Sequence, residues 1–134
     1  MLRMNKLRLI IAVIIFLPTM AKAQLLATIN FEKSEIDYGI VPFGSDGVRY
    51  FKFKNTGKSA LIIKNAVPSC GCTVPRWSTD PIKPNQTSYI EVKYDTNRAG
   101  AFLKTITVET NDIASPHKLY IRGVVGDKNI TAGH

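Results

Sequence analysis

From Thr28 onward, apolar and polar residues alternate with a period of two, and β-branched and aromatic side chains fill the apolar positions. The pattern predicts strands over Thr28–Phe31 with a continuation through Ile36–Tyr38, and over Val48–Lys54, Ala60–Val67, Thr87–Tyr94, Ala101–Thr110 and Lys118–Val125. Between them lie Val41–Ser45, Asn55–Lys58, Pro81–Gln86, Thr96–Gly100 and Asn111–Pro116, which carry the Gly, Pro and Asn that chain reversals use. No stretch leaves room for a helix. About seven strands punctuated in this way predict an all-β fold, an antiparallel β-sandwich.

The alternation also assigns faces. Phe51 and Phe53 point one way and Lys52 and Lys54 the other; Ile90, Val92 and Tyr94 oppose Glu91 and Lys93; Leu119 and Ile121 turn inward. Pro84-Asn85 suits the centre of a type II turn, because Pro presets φ and Asn tolerates a positive one. Asn55-Thr56-Gly57 predicts a hairpin with Gly57 left-handed.

The first 23 residues follow a different rule. Arg3, Lys6 and Arg8 precede the nine-residue apolar run Leu9–Leu17, which is broken by Pro18. About 20 apolar residues are needed to cross a bilayer, so the run is short for an anchor. Ala21-Lys22-Ala23 places small residues where a signal peptidase reads them, and cleavage is expected between Ala23 and Gln24. The expected mature domain is therefore residues 24–134, periplasmic or secreted, with no stable membrane anchor after the leader is removed. Losing Arg3, Lys6, Arg8 and Lys22 lowers the formal net charge from +8 to +4, and no basic block remains that would predict nucleic acid as a partner. All three Met residues leave with the leader, taking every thioether that could bind copper(I).

Asp37-Tyr38-Gly39-Ile40-Val41, Phe51–Gly57, Leu61-Ile62-Ile63, Ser69-Cys70-Gly71-Cys72-Thr73, Ile82-Lys83-Pro84, Val92–Asp95 and Gly100-Ala101-Phe102 are spread over nearly all of the mature chain. In these segments the sequence resembles the exported bacterial domain-of-unknown-function 1573 family, which is marked by a Cys-Gly-Cys-Thr signature. The resemblance implies an immunoglobulin-like sandwich, akin to hydin-type and major-sperm-protein-like domains that act mostly in binding or scaffolding. Asn85 stands where the family usually has Gly, a change the turn at Pro84 accommodates.

Cys70-Gly71-Cys72 is the one unusual piece of chemistry. Alternate residues of an extended chain lie roughly 6 to 7 Å apart, at the limit of disulfide reach, and Gly71 is expected to let the backbone kink. Closing a three-residue loop removes only about 1.5 kcal/mol of chain entropy, so such a bond would be a poor staple and a labile one. Three roles stay open for the pair: small residues in a tight turn, a redox couple, or two thiolates for copper or zinc. A closed zinc site needs about four ligands, and only His117 and His134 could add imidazoles. His117, at the start of the last run, is expected at the surface. With no nucleophile elbow, phosphate loop, paired histidines or facing carboxylates, neither catalysis nor a cofactor is expected.

Trp77 follows Pro75-Arg76, and Tyr89 and Tyr120 fall on the polar faces of their runs. Trp77, Arg76, Tyr89 and Tyr120 are the candidate contact residues, since exposed aromatics beside Arg suit peptides or sugars. The expected role is a non-enzymatic binding or scaffolding module of the cell envelope with a protein or envelope-polymer partner. The alternative is thiol-redox or soft-metal handling at Cys70 and Cys72.

Overall fold

Phe51 and Phe53 point into the protein while Lys52 and Lys54 point out, as their alternation requires. The architecture is that of a computed structural model, which describes residues 25–129. The expected leader, the cleavage expected between Ala23 and Gln24, and His134 all fall outside the described residues. Eight strands form: β1 (Ile29–Phe31), β2 (Glu35–Val41), β3 (Val48–Asn55), β4 (Ile63–Pro68), β5 (Thr73–Trp77), β6 (Thr87–Tyr94), β7 (Gly100–Thr110) and β8 (His117–Val125). They make two four-stranded sheets, β1-β3-β6-β5 and β2-β8-β7-β4. Phe51, Phe53, Leu61, Ile90, Ile106 and Leu119 fill the space between the sheets. Each such side chain contributes about 1.5 to 3 kcal/mol by leaving water.

The all-β sandwich stands, with three corrections to its details. The run beginning at Thr28 is two strands in different sheets, because the polar Glu32-Lys33-Ser34 carries the chain across the sandwich; β2 then lies parallel to β8, so the fold is not wholly antiparallel. Thr73–Trp77 is a strand despite Pro75, paired to β6 at the sheet edge. The third correction is at Asn55-Thr56-Gly57, which joins the two sheets and is not a hairpin. Gly57 is needed there because a Cβ would collide with the Leu26 carbonyl and the Thr28 amide, not because of a left-handed φ.

Asn55 organises that crossing. Its buried side-chain amide donates to the Ser59 carbonyl at 2.8 Å and the Ile82 carbonyl at 2.9 Å, and its Oδ1 accepts from the Gly57 N–H at 3.0 Å. The Pro84-Asn85 turn forms as predicted, with Asn85 at φ 66° and Gln86 N–H donating to the Lys83 carbonyl at 3.0 Å.

Candidate functional site

Cys70 and Cys72 occupy the connection that carries the chain from β4 in one sheet to β5 in the other. Ser69 N–H donates to the Thr105 carbonyl at 2.8 Å, and Asp95 N–H donates to the Cys72 carbonyl at 2.8 Å, so both ends of the turn are tied to a sheet. The two cysteines are joined as a disulfide with their Cα atoms 5.3 Å apart, nearer than an extended chain would hold them and inside the usual bridging span. The kink expected at Gly71 is present, since the φ and ψ of the one residue between the cysteines set that distance, but it does not require glycine. The φ of Gly71 is not left-handed, and the space where a Cβ would stand is open.

The two sulfurs differ in setting. Cys72 is 3% exposed, whereas Cys70 is only half-buried against the core. The Cys72 N–H donates to Cys70 Sγ at 3.3 Å. The Thr73 hydroxyl lies 3.8 Å from Cys72 Sγ and is the donor, since a disulfide sulfur carries no proton. A cavity of about 350 Å³ adjoins the turn, with Arg76, Lys93 and Asp95 among its lining residues. Among the described residues no three His, Cys, Asp or Glu side chains gather as a metal site.

His117 is not the surface residue expected. It is mostly buried, its Nε2 lies 2.9 Å from Asp112 Oδ1, and its ring meets Phe31 edge-on. Asp112 Oδ2 accepts from the Ile29 N–H at 3.2 Å, so the pair anchors β1, at the sheet edge opposite β5. Burial pushes the Asp112 carboxyl up, but hydrogen bonds from His117, the Ile29 amide and the Thr110 hydroxyl outweigh it and hold it below the ordinary value.

The four candidate contact residues do not converge. Arg76 sits opposite Glu91 on the outer face of the β1-β3-β6-β5 sheet, and Tyr89 shares that face. Trp77 pairs with the fully buried Ile90 and packs beside the core, its indole N–H enclosed without a partner among the described residues. Tyr120 lies on the outer face of the other sheet. What joins Tyr89 is Tyr50, which the sequence reading did not single out: both rings are exposed, with centroids 6.3 Å apart in an edge-to-face arrangement, and Lys52, Lys54 and Lys93 lie on the same face. Tyr50 shares its alternation phase with Lys52 and Lys54, which was the signal available for it.

Backbone phase decides which sheet edges are free. The bond from Asp95 N–H to the Cys72 carbonyl turns Val74 and Arg76 toward β6 and leaves Thr73, Pro75 and, at the strand's end, Trp77 at the edge. The Thr73 N–H is already engaged by the Cys70 carbonyl at 3.4 Å, and Pro75 has no N–H to offer. On β4 the edge residues are Ala66, whose N–H is held by Asn65 Oδ1 at 2.9 Å, and Pro68. On β1 the Ile29 N–H is taken by Asp112.

β2 differs. The bond from Tyr120 N–H to the Ser34 carbonyl, and that from Gly126 N–H to the Val41 carbonyl, turn Glu35, Asp37 and Ile40 outward. No other described residue takes their amides. Arg122 pins the strand from its face, with Nε 2.7 Å from Glu35 and Nη2 3.3 Å from Asp37. Beside this edge Ile40, 83% exposed, joins Phe102, Leu103 and Val124 in lining an apolar groove of about 390 Å³.

The model of a family described as a protein of unknown function, DUF1573, matches residues 29–125. The chain belongs to the DUF1573 family. No protein of curated function matches the sequence. Among solved structures, the chain is similar to a protein of unknown function from Porphyromonas gingivalis W83 at TM-score 0.67 and 12% identity, over 79% of this chain and 51% of that one. The chain thus spans about half the length of that protein. The PapD-like domain 7 of human CEP192 gives TM-score 0.58 and 9% identity over 81% of this chain and 92% of that one. The CsuC-CsuE chaperone-tip adhesion subunit pre-assembly complex of Acinetobacter baumannii gives 0.53 and 13%, over 80% of this chain and 60% of that one. At these identities the likeness is one of fold. This DUF1573 domain is an immunoglobulin-like, PapD-like sandwich.

Within the DUF1573 domain, the Asp112–His117 pair and the state of each edge were not readable from the alternation. They arise from which residues meet after the chain has crossed between sheets.

Proposed function

We propose that the domain is an exported, non-enzymatic binding module of the bacterial cell envelope, periplasmic or secreted, which holds an extended protein segment along β2. The open backbone of Glu35, Asp37 and Ile40 carries this reading, because no described residue takes any of their three amides, whereas each of the edges β1, β4 and β5 is interrupted by a side chain, a proline or a local bond. A partner strand would bond those amides and place alternate side chains over the groove at Ile40, Leu103 and Val124. The Acinetobacter complex supports the reading in one respect: a sandwich of similar fold there holds a second protein. The leader-like first 23 residues support export. His117 and Asp112 are committed to anchoring β1, which speaks against a hydrolytic role. An envelope polymer, bound instead on the Tyr50–Tyr89 face, is the other form of the contact reading. Ile40→Lys places a charge at the groove and should abolish recovery of the partner from envelope extract. Retention of the same partner by Ile40→Lys, or substrate turnover by the purified domain, would contradict the proposal.

The disulfide favours a second reading, thiol-redox or soft-metal handling at Cys70 and Cys72. The metal version requires both thiols to be free.

A further inference from the structure

The settings of the two sulfurs carry the redox reading further. On that second reading, and resting on it, we propose that Cys70 is the exchanging sulfur of a thiol–disulfide site that acts on protein dithiols, with Cys72 the resolving sulfur. Cys70 is the half-buried member, while Cys72 is enclosed at 3% exposure with its carbonyl fixed in the ladder by the Asp95 N–H. Gly71 between them is exposed, and apart from its chain neighbours nothing stands within 4 Å of the position a Cβ there would take.

Each sulfur also has its own hydrogen-bond donor. A partner thiolate attacks Cys70 Sγ and the Cys70–Cys72 bond breaks. The electron pair goes to Cys72 Sγ, where the Thr73 hydroxyl stabilises the departing thiolate before a solvent proton arrives. The partner's second thiolate then attacks its own sulfur in the mixed disulfide and releases Cys70, whose thiolate accepts the Cys72 N–H. The domain gains two electrons and two protons, and the partner's dithiol becomes a disulfide. In reverse, the half-buried Cys70 thiolate attacks a partner disulfide and Cys72 closes the ring. The Thr73 side chain is a positioning group here, since it touches only the leaving sulfur.

The test uses the mature chain with oxidised glutathione as the probe. Cys72→Ser, which keeps Cys70, should form the glutathione mixed disulfide about tenfold faster than Cys70→Ser, because access limits the rate. In reduced wild type, limiting iodoacetamide should label Cys70 before Cys72, a readout that needs no variant to fold. Thr73→Val should slow reduction of the wild-type disulfide by glutathione about tenfold, and Thr73→Ser should restore it, because poorer leaving thiols depart more slowly. Equal or reversed preference between the two cysteines would overturn the assignment to Cys70 while leaving exchange standing. A disulfide that excess glutathione does not reduce, with neither monothiol variant forming an adduct, would remove the redox reading itself.

Discussion

Asp112 Oδ1 and His117 Nε2 meet at 2.9 Å inside the sandwich, and through Asp112 Oδ2 the pair also takes the Ile29 amide. Its consequence for pH comes from Asp112 being held below the ordinary carboxylate value. A depressed acid contributes stability that is present above its unfolded pKa of about 4 and is lost as pH falls through the lower folded value. His117→Phe removes the first of the hydrogen bonds that oppose burial. The variant should be destabilised by about 1 to 3 kcal/mol at neutral pH, and it should lose less stability on acidification than the wild type, because Asp112 is then held down less. Urea midpoints from pH 3 to 7 measure both; an unchanged acid limb would show that Asp112 is not coupled to folding.

Tyr38 makes the opposite prediction at alkaline pH. Burial pushes its hydroxyl up to about 12, against the opposing pull of Arg49, and the hydroxyl donates to the Gly47 carbonyl at 2.7 Å. A raised pKa means that the contribution is whole below the unfolded value of about 10 and disappears as pH rises through the folded one. Stability should therefore fall by on the order of 2 kcal/mol across that window, and Tyr38→Phe should flatten the fall. An equally steep alkaline limb in Tyr38→Phe would contradict this.

Asn55 holds the crossing between sheets with two donated side-chain bonds and two accepted, from the Gly57 and Thr28 amides. Asn55→Ala takes the amide donor from the half-buried Ser59 carbonyl and one of two donors from the buried Ile82 carbonyl, which keeps the Leu61 N–H, and should cost about 1 to 3 kcal/mol. A urea-unfolding change below about 1 kcal/mol would mean that water replaces the amide without loss.

Tyr50 and Tyr89 should couple weakly but measurably. A double-mutant cycle with Tyr50→Ala and Tyr89→Ala should return about 0.5 to 1 kcal/mol of interaction, as exposed edge-to-face pairs do. A coupling indistinguishable from zero would show that the rings move independently on that face.

Much of the architecture could be read from alternation alone, because Phe51, Val92 and Ile121 have no other way to leave water than by facing a common core. The same signal failed at Pro75, where a proline reads as loop although an edge strand tolerates it with its nitrogen turned outward. It failed again at Glu32–Ser34, where a short polar interruption separates strands of different sheets. The site was less legible. Cys70 and Cys72 stood out by spacing, but their unequal burial depends on the ladder bond to Asp95. Trp77 sits beside Arg76 in sequence yet turns to the opposite side of the sheet, so neighbouring candidates could not form one surface. The free edge at β2 became visible only once the hydrogen bonds that interrupt β1, β4 and β5 were placed.

The central claim is that contact is made along β2 and not along the interrupted edges. A photoreactive amino acid placed at Ile40, and separately at the exposed Val67 on β4, which leaves the Asn65 bond to Ala66 in place, tests it most directly in intact cells expressing the full chain. The account predicts a discrete protein adduct from position 40 that is absent at position 67. Adducts of equal yield from both positions, or an adduct from position 67 alone, would contradict it.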